Sequence, residues 1–77
     1  MAHLQWHGKV IKTWKSNTTN NRYYLTEMNW LLWTSGPRGG KCKTKAKPSE
    51  TIKREQLIQK LNELVTVNKF SIEIGEN

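Results

Sequence analysis

Apolar side chains recur along this chain at two periods, and the change of period divides it. Leu4, Trp6, Val10 and Trp14 share one parity, while Gln5, His7, Lys9, Thr13 and Lys15 take the other, with Ile11 as the exception. Such alternation predicts a half-buried strand, and Gly8 inside it predicts a bulge or bend. Ser16 to Asn21 is an unbroken run of turn formers that leads into a hairpin. The sequon Asn17-Thr18-Thr19 lies within it and reads as an ordinary polar turn.

Arg22 to Thr34 fits two templates. Tyr24, Met28, Leu31 and Leu32 fall at helical spacing, whereas Tyr23, Tyr24, Trp30 and Trp33 favour strand. One strand over the whole stretch is longer than usual. The expectation is therefore two short strands, Tyr23–Thr26 and Trp30–Thr34, turning around Glu27-Met28-Asn29. After the glycine-rich loop 35–40, Lys41 to Lys47 alternates lysine with small residues, which in extended backbone puts Lys41, Lys43, Lys45 and Lys47 on one face. Neighbours in that row stand roughly 6.6 Å apart, with Cys42, Thr44 and Ala46 opposite.

The period turns helical after Pro48. Ser49 is a good N-cap and Glu50 suits the first turn. Ile52, Leu57, Ile58, Leu61, Leu64 and Val65 form an apolar stripe, and Lys53, Arg54, Glu55, Lys60 and Glu63 form a solvated face of mixed charge. Beyond Asn68, Phe70, Ile72 and Ile74 alternate with Ser71 and Glu73 in a last strand that ends at Gly75. The order predicts an α+β fold: a small antiparallel sheet of roughly three to five short strands, covered on one face by a single amphipathic helix and followed by a C-terminal strand. The 77 residues make one domain, with a basic β-rich part at 1–48, the helix at 49–66 and the last strand at 69–75.

Charge sharpens this picture. The net charge is +7, and residues 1–48 hold nine Lys and Arg against Glu27 alone, whereas 49–77 hold four against five Glu. An excess confined to one part favours a basic face and a polyanionic partner. Lysines on an exposed edge strand also block unwanted pairing, which is the competing explanation of the row. Residues Met1 to Trp6 show neither the charge nor the apolar run of a secretory leader, no stretch is long enough for a membrane span, and Cys42 is unpaired. These features lead to the expectation of a cytoplasmic or nuclear compartment and no membrane partner.

Candidate chemistry is sparse. His3 and His7 on a strand lie about 13 Å apart and lack a third ligand, so no metal site is expected. Cys42 sits between lysines but has no accompanying base or oxyanion motif. The acidic residues form no recognisable pair, and Gly39-Gly40-Lys41 lacks the phosphate-loop spacing. The reading is a non-enzyme without cofactors. Aromatics interleaved with cations carry more: on a sheet, cations hold phosphates while rings stack on bases. One helix covers one sheet face, so about two rings should be exposed, with Trp14 and Tyr23 the candidates.

The run Asn21-Arg22-Tyr23-Tyr24-Leu25, then Trp33, then Gly36-Pro37-Arg38-Gly39-Gly40-Lys41, resembles the central part of WGR domains, which bind DNA ends. The adjacent Trp-Gly-Arg that names the family is absent, so that function is not carried over. The sequence points to a small basic nucleic-acid-binding module that contacts mainly the phosphate backbone with low sequence specificity. Arg38, Lys41, Lys43, Lys45 and Lys47 form its centre, Lys12, Lys15 and Arg22 extend it, and Trp14 and Tyr23 stack. DNA or RNA, single or double strand, stay open. The alternative is an inhibitor or accessory subunit that docks its basic face or edge strand on an acidic protein. Oligomeric state is also open, a homodimer included.

Overall fold

The computed structural model describes residues 7–35 and 42–74. Within them lie β1 (Val10–Ser16), β2 (Arg22–Thr26), β3 (Leu31–Thr34), β4 (Lys43–Ala46), α1 (Thr51–Thr66) and β5 (Phe70–Ile74). The five strands form one antiparallel sheet in the order β4-β3-β2-β1-β5, so α1 links the two outer strands. This is the expected α+β architecture. Among the described residues no helix is long and apolar enough to cross a membrane.

The β2–β3 hairpin follows the expected pair of short strands. Thr26 N–H donates to Trp30 C=O, and the three-residue loop closes with Asn29 at φ 67°, the left-handed conformation that such a loop needs in its last position. The β1–β2 turn is held by Ser16, whose hydroxyl accepts from Thr18 N–H and Thr19 N–H. Asn17 then ties this turn to the far strand: its amide donates to Asn68 C=O at 2.9 Å, and its carbonyl accepts from the Ser71 hydroxyl at 2.8 Å.

Strand β1 starts at Val10, later than the alternation suggests, because Gly8 sits at φ +86°. A Cβ there would meet Met28 Cγ at 2.7 Å. Ile11 breaks the alternation because the register with β2 shifts between Val10 and Lys12, leaving Ile11 unpaired and exposed. Leu4 and Trp6 lie outside the described residues, as does Gly75.

The helix packs on one sheet face, where Trp14, Leu31, Ala46 and Leu61 are buried together. Trp14 is fully buried and donates from Nε1 to Asn62 Oδ1 at 3.1 Å. Removing an indole of this size from water contributes about 4–6 kcal/mol of gross transfer free energy. The second face also has a buried centre: Thr13, Tyr24, Thr26, Leu32 and Thr34 are buried there, and the Tyr24 and Thr34 hydroxyls share a hydrogen bond.

Three expectations about the helix need correction. It begins at Thr51 with Glu50 as N-cap, and Ser49 belongs to the preceding turn, which Glu50 N–H closes onto Lys47 C=O. Ile52 is 73% exposed. Arg54 is only 8% exposed and is not part of the solvated face. The inward stripe runs Arg54, Leu57, Ile58, Leu61, Val65, a helical spacing that includes the arginine and leaves out Ile52. Arg54 Nη1 donates to Asn29 C=O at 3.2 Å, Pro48 C=O at 3.2 Å and Lys47 C=O at 3.5 Å. Three acceptors from two turns thus replace the water lost on burial.

Arg54→Ala removes the guanidinium from all three carbonyls, of which Lys47 C=O keeps Glu50 N–H and Pro48 C=O keeps the Thr51 hydroxyl. The change is expected to cost about 2–4 kcal/mol in urea unfolding. Lys53→Ala, whose side chain is 60% exposed, is expected to stay within about 0.5 kcal/mol of the parent.

Candidate nucleic-acid interface

Register decides which cations can act together. Trp14, Tyr23, Trp33 and Lys43 pair in one row across β1, β2, β3 and β4 on the helix face. Lys12, Leu25, Leu31 and Ala46 form the next row. Lys43 therefore ends one row at the β4 edge, while Lys12 starts the other row, three strands away. That separation is about 14 Å.

At the β4 edge the strict alternation expected of the lysines breaks. The register with β3 shifts between Leu31 and Leu32, so Leu31 pairs Ala46 and Leu32 pairs Thr44. Lys45 is the extra residue, and such a bulge lets consecutive side chains share a side. Ala46 returns to the helix-side core, so it does not face away from the lysines as alternation requires. Lys43 Nζ lies 5.4 Å and Lys45 Nζ 4.8 Å from the centre of the Trp33 ring. Both are within cation–π range. Lys47 is exposed just past the strand, and its backbone carbonyl serves the helix N-terminus. Arg38 and Lys41 lie outside the described residues.

Trp33 is half-buried, and its buried Nε1–H has no acceptor among the described residues. Among the described residues, ion pairs join Arg22 with Glu73 and Lys53 with Glu50, and no carboxylate reaches Lys43, Lys45 or Lys47. An indole carrying two uncompensated ammonium groups is the feature that sequence reading missed. The clue was there: Trp33 lies in the hairpin strand that feeds the basic segment, and pairing it with the lysines needed only the register.

Trp14, expected as an exposed stacking ring, is at the centre of the core. It faces the helix from the inner strand β1, and Lys12 Nζ lies 5.1 Å from its ring. Tyr23 is half-buried, tilted against Phe70 with centroids 6.0 Å apart. The small Ser16 between their strands makes that approach feasible. Burial pushes the Tyr23 hydroxyl pKa up. None of the six described rings is in the exposed class, so the expected exposed pair is not found among them.

Lys15 and Arg22 pair across β1 and β2 with the opposite parity to Trp14 and Tyr23, so they belong to the second face. Arg22 Nε donates to Glu73 Oε1 at 2.8 Å, and this hydrogen bond raises the guanidinium pKa. Neither residue extends the Trp33 patch; Arg22 has a carboxylate of its own. Cys42 is half-buried just before β4, and desolvation pushes its thiol pKa up. Among the described residues no group of three or more His, Cys, Asp or Glu is arranged to hold a metal.

Because only the thiolate reacts, Cys42 in the folded protein should be alkylated by iodoacetamide more slowly than free cysteine near neutral pH. The rate should rise as the solution becomes alkaline. Reaction as fast as free cysteine at neutral pH contradicts the burial.

Comparison with protein-family models, with curated proteins and with solved structures gave no match, so the resemblance over Asn21 to Lys41 brings no function with it.

Proposed function

We propose that the protein is a small nucleic-acid-binding module that grips the phosphate backbone at its β4 edge. The observation that supports this most is the convergence of Lys43 and Lys45 on Trp33, with no carboxylate of the described residues within ion-pair range of either. Lys47 continues the edge, and Arg38 and Lys41 from the adjoining segment belong to the same basic stretch of sequence. Backbone phosphates suit such an edge because they are dense and regularly spaced, and contacts to them carry no sequence information. The helix is committed to covering the sheet, so no helix is available to read a major groove. A nucleic-acid partner goes with a cytoplasmic or nuclear compartment. Lys12, Lys15 and Arg22 lie too far away or on the other face, and play no part in this reading.

With four to six phosphates engaged, log affinity for duplex DNA should fall against log salt with a slope of about −3.5 to −5.5. Lys43→Gln with Lys45→Gln should reduce that slope by about two and weaken binding alike for all sequences. Lys53→Gln with Lys60→Gln on the helix should change little. Equal losses from the two double variants, or no binding to any oligonucleotide at low salt, exclude this interface. Failure to bind nucleic acid together with tight, salt-sensitive binding to an acidic protein supports the docking alternative.

Trp33 has its own test. If it contributes a stacking surface, Trp33→Leu should weaken single-strand binding by about 1–3 kcal/mol and remove most of the fluorescence quenching by single-stranded DNA. Unchanged quenching in a folded Trp33→Leu protein confines the indole to holding the two lysines.

A further inference from the structure

The outer strand opposite β4 has a self-complementary sequence. Lys69-Phe70-Ser71-Ile72-Glu73 reads cation, apolar, small polar, apolar, anion, symmetric about Ser71 in size and antisymmetric in charge. Asn17 N–H donates to Lys69 C=O at 2.8 Å, and Ser16–Phe70, Lys15–Ser71 and Trp14–Ile72 continue in the same register. In an antiparallel ladder alternate residues direct their backbone groups toward the partner. Lys69 and Ser71 therefore face β1, and the N–H and C=O of Phe70 and Ile72 point away from the sheet. Among the described residues no strand lies beyond β5. A register shift at Glu73 ends the regular stretch.

We propose that β5 pairs antiparallel with β5 of a second copy about a two-fold axis at Ser71. Phe70 of each copy then sits opposite Ile72 of the other, exchanging both backbone hydrogen bonds, with the apolar side chains on the helix faces. Lys69 of each copy sits opposite Glu73 of the other, two opposite-charge pairs in one interface. Lys69, Ser71 and Glu73 are all exposed. The Ser71 hydroxyl already meets Asn17 and the Glu73 carboxylate already meets Arg22, so Lys69 of the second copy joins the Arg22–Glu73 pair at its exposed side. At the β4 edge the same operation would bring Lys43 and Lys45 toward their own copies, a like-charge contact that disfavours pairing there. The association is independent of any nucleic-acid binding, and charge complementarity at β5 selects a second copy over an unrelated strand.

Sedimentation equilibrium of the full chain over a wide concentration range tests this. Association to twice the 9.0 kDa chain mass is expected. Lys69→Glu alone should weaken it about tenfold by placing like charges opposite each other twice. Glu73→Lys alone, which also removes the Arg22 ion pair within each copy, should weaken it at least as much. The variant carrying both changes should regain it. Amides of Phe70 and Ile72 should gain hydrogen-exchange protection as concentration rises, a measurement that needs no variant. A wild-type chain that stays monomeric at high concentration overturns the proposal and leaves the edge to a strand of another protein. Dimers indifferent to either single change, or not rescued by the double change, overturn this interface.

Discussion

One buried guanidinium fixes the relation between the parts that matter. Arg54 reaches from the first turn of α1 to Asn29 in the β2–β3 loop and to Lys47 and Pro48 after β4. Those carbonyls belong to the two turns that set where β4 lies against β3 and where the helix enters. Burying a charge among carbonyls without a carboxylate is expensive unless every donor direction is used. Here Nη1 alone meets three carbonyls, so displacing either turn removes hydrogen bonds from the buried charge. With the end of β4 held this way, the bulge at Lys45 and the approach of both lysines to Trp33 follow from a fixed register.

The helix then decides which positive charges can cooperate. It runs from the β4 side to the β5 side across the face that carries Trp14, and its Asn62 meets that indole. Lys12 and the Lys43–Lys45 pair share this face but stand at opposite ends of adjacent rows. Lys15 and Arg22 lie on the other face. The five cations of β1, β2 and β4 are thus divided among three places. Among the described residues, the β4 edge places two cations over one ring, whereas Trp14 carries Lys12 alone.

Local features were legible in the sequence, and long-range ones were not. The turn at Glu27-Met28-Asn29 could be read because asparagine tolerates positive φ and the flanking residues favour strand. The order of elements followed from the change of period at Pro48. Trp14 was misplaced because parity shows that a residue shares a face with others, not which face the helix covers. Arg54 was misplaced because a charged residue on the apolar stripe looks like a solvated one until its three acceptors, distant in sequence, are assembled. The lysine row was counted by strict alternation, and a single extra residue on one strand is enough to defeat that count. Trp33 was legible only as a strand aromatic ahead of the basic segment; its role depends on pairing directly opposite Lys43.

Lysines and a bulge on an outer strand protect a sheet from unwanted pairing whether or not anything binds there. Protection alone calls for charges that project into solvent along the edge. Here both ammonium groups fold back over one indole instead. Two such groups at about the 7 Å spacing of alternate strand residues repel by roughly 0.6 kcal/mol even in water. That is comparable to what one exposed cation–π contact returns, about 0.5–1 kcal/mol. Two such contacts return about 1–2 kcal/mol, so the repulsion removes part of the gain from the ring, and among the described residues no carboxylate within ion-pair range relieves it. A phosphate placed between the two ammonium groups removes the repulsion and leaves the ring contacts in place. Edge protection accounts for the lysines, but an anionic ligand also accounts for where they point.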